Sequence, residues 1–126
     1  MNQNQKRLLM MGMNFCKHYE INHNKSKGTF SLKVYVDPWK FITFTLIPDK
    51  EDVVYVRFFE QSRSYFAPSP RVSELDKICG KSKRKPGQKH AVIDIAKTFD
   101  IIQKLETYAS SEFKFSVYPI APESIL

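Results

Sequence analysis

The residues best suited to chemistry in this sequence are the cations of a short basic segment, residues 77–90. The stretch KICGKSKRKPGQKH holds six Lys or Arg side chains and no acidic one. Six of the chain's seven net positive charges therefore lie here, so the basicity is local. Concentrated positive charge attracts phosphate-rich polymers and is costly to bury, which predicts a loop facing solvent or a partner. Its candidate phosphate contacts are Lys81, Lys83, Arg84, Lys85 and Lys89.

A second candidate feature is a set of aromatic and cationic side chains that alternate with apolar ones. Residues 30–36, 53–59 and 112–118 each carry apolar residues at every second position, the period of a half-buried strand. If the other faces coincide in one sheet, cations there can follow a phosphate backbone while rings stack on bases, at ~1–3 kcal/mol per base. The residues predicted for this surface are Lys33, Tyr35, Tyr55, Arg57, Lys114 and Tyr118.

The same features have simpler interpretations. Most aromatic residues of a sheet belong to the core, and scattered exposed Tyr and Lys are ordinary. Short basic runs such as 83–89 are also typical of nuclear-import signals, although many match by chance. The apolar N-terminal helix and the proline-rich stretches 66–70 and 119–122 are compatible with a protein-interaction module, an inhibitor or adaptor with no nucleic-acid role.

Patterns that would bind a metal are weak. Cys16, His18 and His23 lack a further ligand and the paired spacing of structural zinc sites. Asp49, which follows a proline, and Glu112, two residues before a lysine, have the residue types of a metal-dependent nuclease, but a whole helix is predicted between them. The sequence therefore predicts no metal, cofactor or catalytic group, with a metal-dependent nuclease as the third alternative.

The two cysteines bear on compartment and on reactivity. Cys16 and Cys79 lie far apart and form no spaced framework, which favours free thiols in a reducing compartment. The cations around Cys79 would lower the pKa of its thiol, but nothing marks the orienting group that a nucleophile needs. No apolar run approaches the length of a membrane span. We expect an intracellular protein, cytoplasmic or, in a eukaryotic host, nuclear, with no membrane partner.

The elements that must position these residues are predicted to form one α+β domain over residues 1–126. A helical period across the first twenty residues, including Tyr19, predicts an N-terminal helix followed by a polar turn at 22–28. Three β-rich runs with short connections then predict an antiparallel meander. These runs are residues 30–36, 39–47 and 53–59.

The second half of the chain is predicted to add two helices and a fourth strand. Ser73 is the expected N-cap of a short helix that ends at Gly80. A helical stripe predicts a longer helix from about Ala91 to residues 109–111, before a strand at 112–118 and a surface arm at 119–126. The predicted stripe consists of Val92, Ile95, Ala96, Phe99, Ile102 and Leu105.

The leading interpretation is a small, non-enzymatic nucleic-acid-binding protein of the α+β class, with a mainly antiparallel sheet of about four strands. The basic segment would contact phosphates, and the outer sheet face would stack the bases of a single strand. Sequence-specific reading of a duplex is less favoured, because helix-turn-helix pairs, zinc-finger spacing and a basic zipper are absent from the sequence. A homodimer or another protein partner stays open.

Overall fold

A computed structural model of the protein describes residues 1–61 and 67–113, and these contain three α-helices and six β-strands. The helices are α1 (Gln3–Phe15), α2 (Val72–Cys79) and α3 (Thr98–Leu105). The strands are β1 (Tyr19–Asn24), β2 (Thr29–Asp37), β3 (Lys40–Leu46), β4 (Val53–Glu60), β5 (Ser69–Pro70) and β6 (Ala91–Asp94). The predicted α+β class is confirmed, with six strands instead of about four.

The sheet is antiparallel throughout these strands, in the order β1, β2, β3, β4. Two short strands share the far edge of β4. Strand β6 pairs with Val53–Val56, and β5 pairs with Phe59 and Glu60. The predicted meander of three consecutive strands is therefore confirmed, and it forms the centre of the sheet.

The helices cover one face of the sheet. Strand β2 is buried at every second residue from Phe30 to Val36, and β3 and β4 send Phe44 and Val56 to the same side. The apolar faces of α1, α2 and α3 complete a single core with them. Burial of this apolar surface, at roughly 25 cal/mol per Å², favours the two-layer arrangement. The opposite, outer face carries no helix in the part of the chain that the structure describes.

The first helix is shorter than predicted. It ends at Phe15, and Tyr19 begins β1, an edge strand that the sequence did not reveal. The sequence predicts the end of a helix and a polar turn here because most side chains of β1 are polar. Gly12 lets α1 lie close to the sheet, since an added Cβ would meet Leu32 Cδ1 and Tyr19 Cδ2 at 2.9 Å.

The prediction of a helix from Ala91 was wrong in its first half. Residues 91–94 form β6 and pair with β4, and the α-helix begins only at Thr98. Val92 and Ala96, expected on the buried stripe, are exposed. Pairing with β4 buries Ala91 and Ile93 instead. A strand of four residues is too short for its two-residue period to be distinguished from the helical period that follows it.

Two further boundaries differ from the prediction. Ser73 lies inside α2, whose N-cap position is Arg71, with no side-chain capping bond. Residues Ser111–Phe113 form a 3₁₀ turn, so a strand does not begin at Glu112. The remainder of the predicted fourth strand and the arm at 119–126 lie outside the described residues.

Candidate nucleic-acid interface

Three cross-strand rows on the outer sheet face hold four of the six residues predicted there. The strand register aligns side chains of β2, β3 and β4 on this face, and a residue of β1 extends the middle row. The aromatic row is Tyr35, Phe41 and Phe59. The central row is Glu20, Lys33, Thr43 and Arg57. The hydroxyl row is Ser31, Thr45 and Tyr55. The other two predicted residues, Lys114 and Tyr118, lie outside the described residues.

The aromatic row is a packed ridge with a cation along its side. The ring centroids of Tyr35 and Phe41 are 5.6 Å apart, and those of Phe41 and Phe59 are 5.2 Å apart with nearly parallel planes. Lys33 Nζ lies 4.1 Å from the Phe41 centroid and 4.8 Å from that of Tyr35, within cation–π range. The same ammonium group is 3.9 Å from a Glu20 carboxylate oxygen.

The hydroxyl row ends in a stack of two rings. The planes of Tyr55 and His90 are 12° apart and their centroids 4.5 Å apart. Burial lowers the pKa of His90, and the positive charges of Arg57 and Lys50 lower it further. His90 therefore favours its neutral form here, which suits a stacking role.

An open groove of about 560 Å³ runs over these rows. Lys27, Lys33, Arg57 and Glu20 are the charged residues along it, so three cations face one carboxylate. Tyr55 and Phe59 also line it, and the Ser31 and Thr45 hydroxyls form a 2.9 Å hydrogen bond along its wall. The groove therefore combines net positive charge with aromatic and hydroxyl groups.

Arg84 differs from the lysines of the basic segment. Its Nε and Nη2 donate to the two carboxylate oxygens of Asp76 at 2.9 Å, and Nη1 donates to the Gln88 carbonyl oxygen. The guanidinium lowers the pKa of the Asp76 carboxyl through this hydrogen bond. Arg84 thus joins α2 to the far end of the segment, whereas the other four predicted contacts are exposed. Those four are Lys81, Lys83, Lys85 and Lys89.

The basic segment links the helix layer to the outer sheet face. It begins at the end of α2, which packs into the core, and forms a 3₁₀ turn at Lys81–Lys83. It turns again at Gly87, where φ is 83°, before β6 begins. His90, its last residue, stacks on Tyr55 of the outer face. The lysines and the groove are therefore connected at the β6 edge of the sheet.

The weaker patterns do not assemble into sites. Burial raises the pKa of the Cys16 thiol to about 12, and the His18 and His23 rings contact different phenylalanines. Burial also raises the pKa of Cys79 to about 12, so the expectation that its cationic setting lowers the value was wrong. Both cysteines are free. Across residues 1–61 and 67–113, no group of three or more His, Cys, Asp or Glu could hold a metal ion.

The carboxylates of the nuclease alternative lie at opposite ends of the sheet. Asp49 follows the end of β3, whose Leu46 pairs with Phe30. Glu112 lies in the 3₁₀ turn beside Val36, whose carbonyl oxygen accepts a hydrogen bond from the Ser110 amide at 2.8 Å. The six residue steps from Phe30 to Val36 span about 20 Å, so Asp49 and Glu112 do not converge on one metal.

The fold and this surface define a small α+β protein whose antiparallel sheet has helices on one face and a cationic, aromatic groove on the other. No protein-family model matches the chain, and neither does any curated protein or solved structure. No helix within the described ranges is both long and apolar enough to cross a bilayer.

Proposed function

We propose that this protein binds single-stranded nucleic acid on the outer face of its sheet, with the lysines of the basic segment extending the contact. The observation that carries the proposal is the strand register. It brings Lys33 and Arg57 into one row, between Tyr35 and Tyr55 in the flanking rows, on the face opposite the three described helices. A positive groove that follows the backbone, with rings for bases, is the general design of single-strand binding.

The charge balance of the groove supports a polyanionic ligand. Arg57 is exposed, and among the described residues the one carboxylate paired with the Lys33 ammonium group is that of Glu20, at 3.9 Å. An exposed pair of this kind is worth ~0–1 kcal/mol, so a phosphate can replace the carboxylate at little cost. Nucleic-acid phosphates also release condensed counterions when cations bind them, which favours association at low salt.

The structure weakens the support for the protein-interaction alternative. Leu8, Met11 and Phe15, the apolar face of α1, are buried in the core and are not free to dock a partner. Of the stretch 66–70, Ser69–Pro70 forms β5 against β4, and the stretch 119–122 lies outside the described residues. Nucleic-acid binding is therefore the function that the geometry supports best.

The test is a fluorescence titration of single-stranded and duplex oligonucleotides at low and at physiological salt. The outer-face variant carries Lys33→Gln and Arg57→Gln. A matched control removes the same charge from the helix side through Lys6→Gln and Lys97→Gln, both exposed. We expect the outer-face variant to lose about tenfold in single-strand affinity or more, because charge-assisted contacts disappear.

The control variant should bind like the wild-type protein, and the wild-type protein should prefer the single strand. Equal losses in both variants would show that only net charge matters, and the outer face would not be the site. A wild-type protein that binds no oligonucleotide at low salt would refute the proposal and direct the search to a protein partner.

A further inference from the structure

A ring, a cation and a second ring follow one another along β4. Tyr55, Arg57 and Phe59 occupy every second position and share the outer face. Successive residues on one face of a strand are about 6.6 Å apart, so the two rings are separated by about 13 Å at their backbones. Arg57 lies midway between them.

The central row has the composition of a phosphate site. Lys33 and Arg57 flank Thr43 on the two neighbouring strands, so their Cα atoms are about 10 Å apart. Both side chains are long enough to reach a group above Thr43, whose hydroxyl is a further donor. Among the described residues, no carboxylate forms an ion pair with Arg57. One phosphate placed here would meet two cations and one hydroxyl, and it would displace the Glu20 carboxylate, which lies 3.9 Å from Lys33 Nζ.

Both ends of this arrangement offer a ring surface. The Phe59 ring stacks on that of Phe41, with their planes 28° apart. Tyr55 and His90 form a parallel stack, which a planar base can extend, since offset parallel rings attract one another. Both ring groups line or adjoin the same groove as the central row.

We infer that the unit recognised by this surface is a single phosphodiester with one base on either side. The phosphate lies on the central row, one base lies on Phe59 and the other on the Tyr55–His90 stack. This inference rests on the proposed function and specifies its ligand. Two rings whose backbones are about 13 Å apart cannot hold bases stacked 3.4 Å apart as in one strand of a duplex. The bases must be spread, which selects an extended single strand.

The experiment is an NMR titration with a thymidine dinucleotide, which has one phosphodiester and two bases. The comparison ligands are the same dinucleotide with an uncharged methylphosphonate linkage, and thymidine monophosphate. We expect saturable shifts at Lys33, Thr43 and Arg57 and at both ring groups. Loss of the linkage charge and the substitution Arg57→Gln should each weaken binding about tenfold, as for a lost charge-assisted contact. The uncharged linkage and Arg57→Gln together should reduce affinity no more than either change alone.

Lys6→Gln, at an exposed position of α1 outside both the groove and the basic segment, is the control: it should leave dinucleotide affinity unchanged. If the wild-type protein binds a long oligothymidylate but the dinucleotide shifts only the basic segment, the inference is wrong and the proposed function survives. The inference also fails if the methylphosphonate dinucleotide binds as tightly as the charged one. If neither the dinucleotide nor the long strand binds, the proposed function itself is refuted.

Discussion

Arg84 and its lysine neighbours carry the same charge, but the structure places them differently. The lysines at 81, 83, 85 and 89 are exposed, whereas Arg84 forms a bidentate pair with Asp76 and donates to a carbonyl oxygen. A guanidinium presents its donors in a fixed planar fork, which matches a carboxylate, and an ammonium group does not. We interpret Arg84 as the residue that holds the basic segment in shape, while the lysines remain available to a ligand.

Asp76→Asn tests this interpretation through its pH dependence. The pKa of Asp76 is lower in the folded protein than in the unfolded chain because Arg84 hydrogen-bonds to the carboxylate. The pair therefore stabilises the fold above the ordinary Asp pKa, about 3.9, and loses this contribution as pH falls through the lowered value. We expect Asp76→Asn to unfold at a lower temperature than wild type at pH 7, with the gap closing in acid.

Glu74→Gln, on the same helix, is the matched control, because its carboxylate forms no ion pair among the described residues. It should leave the melting temperature near that of wild type at both pH values. Hydrogen exchange should report faster exchange in residues 81–89 of Asp76→Asn. An unchanged melting temperature together with unchanged exchange would contradict the role assigned to Arg84.

Single-residue predictions on the outer face depended on which side of a strand each residue occupies. The two-residue period was enough to assign Lys33, Tyr35, Tyr55 and Arg57 to one face. The same period assigns Phe58 to the inner face, but Phe59 was not among the predicted surface residues, because an apolar ring gives no sign of exposure in the sequence. The sequence gives no signal that His90 belongs to the outer face, since its stacking on Tyr55 is a tertiary contact.

At the scale of elements, α1 illustrates how tertiary contact overrides local preference. Glycine in a helix costs about 1 kcal/mol relative to alanine, and Gly12 lies in the middle of α1. Its missing side chain leaves room for Leu32 and the Tyr19 ring, which an added Cβ would meet at 2.9 Å. The close approach of α1 to β1 and β2 thus accounts for a residue that looked unfavourable.

Gly12→Val should therefore destabilise the protein. Valine adds volume against buried Leu32, and overpacking a core costs typically ~1–3 kcal/mol, more than the improvement in helix propensity. Met13→Val introduces the same residue one position later, where the side chain is 56% exposed. Urea denaturation should give a lower free energy of unfolding for Gly12→Val and a change within about 0.5 kcal/mol for Met13→Val. Equal stabilities of the two variants would contradict the packing argument.

The elements that the sequence predicted correctly are those with a strong local pattern. Strands β2, β3 and β4 alternate or are continuously apolar over seven residues or more, and their connections are short. Strands β1 and β6 lacked such a signal, because one is mostly polar and the other has four residues beside a helical stripe. Both exist because an edge of the central meander offers unpaired backbone groups.

At the scale of the whole molecule, the cations proposed to contact the ligand lie on two surfaces. The central row lies on the outer sheet face, and the exposed lysines lie on the segment that runs from α2 to β6. The Tyr55–His90 stack is where they join, since His90 ends the segment and Tyr55 belongs to the face. A strand bound on the groove can therefore continue past His90 to the lysines if it is long enough.

This division predicts that salt dependence will vary with strand length. The slope of log affinity against log salt is about −0.7 for each phosphate neutralised on a single strand. A strand of about four nucleotides should sense only the outer face, so Lys33→Gln with Arg57→Gln should reduce its slope by about 0.7, since both cations contact one phosphate. Changing Lys81, Lys83, Lys85 and Lys89 to Gln should leave that slope unaltered.

On a strand of about twenty nucleotides, the same four substitutions should reduce the slope by about 0.7 for each lysine that contacts a phosphate. Anisotropy titrations at four or more salt concentrations give these slopes. If the slope reductions in the two variants do not depend on strand length, the two surfaces act separately. The path of the bound strand past His90 would then be wrong.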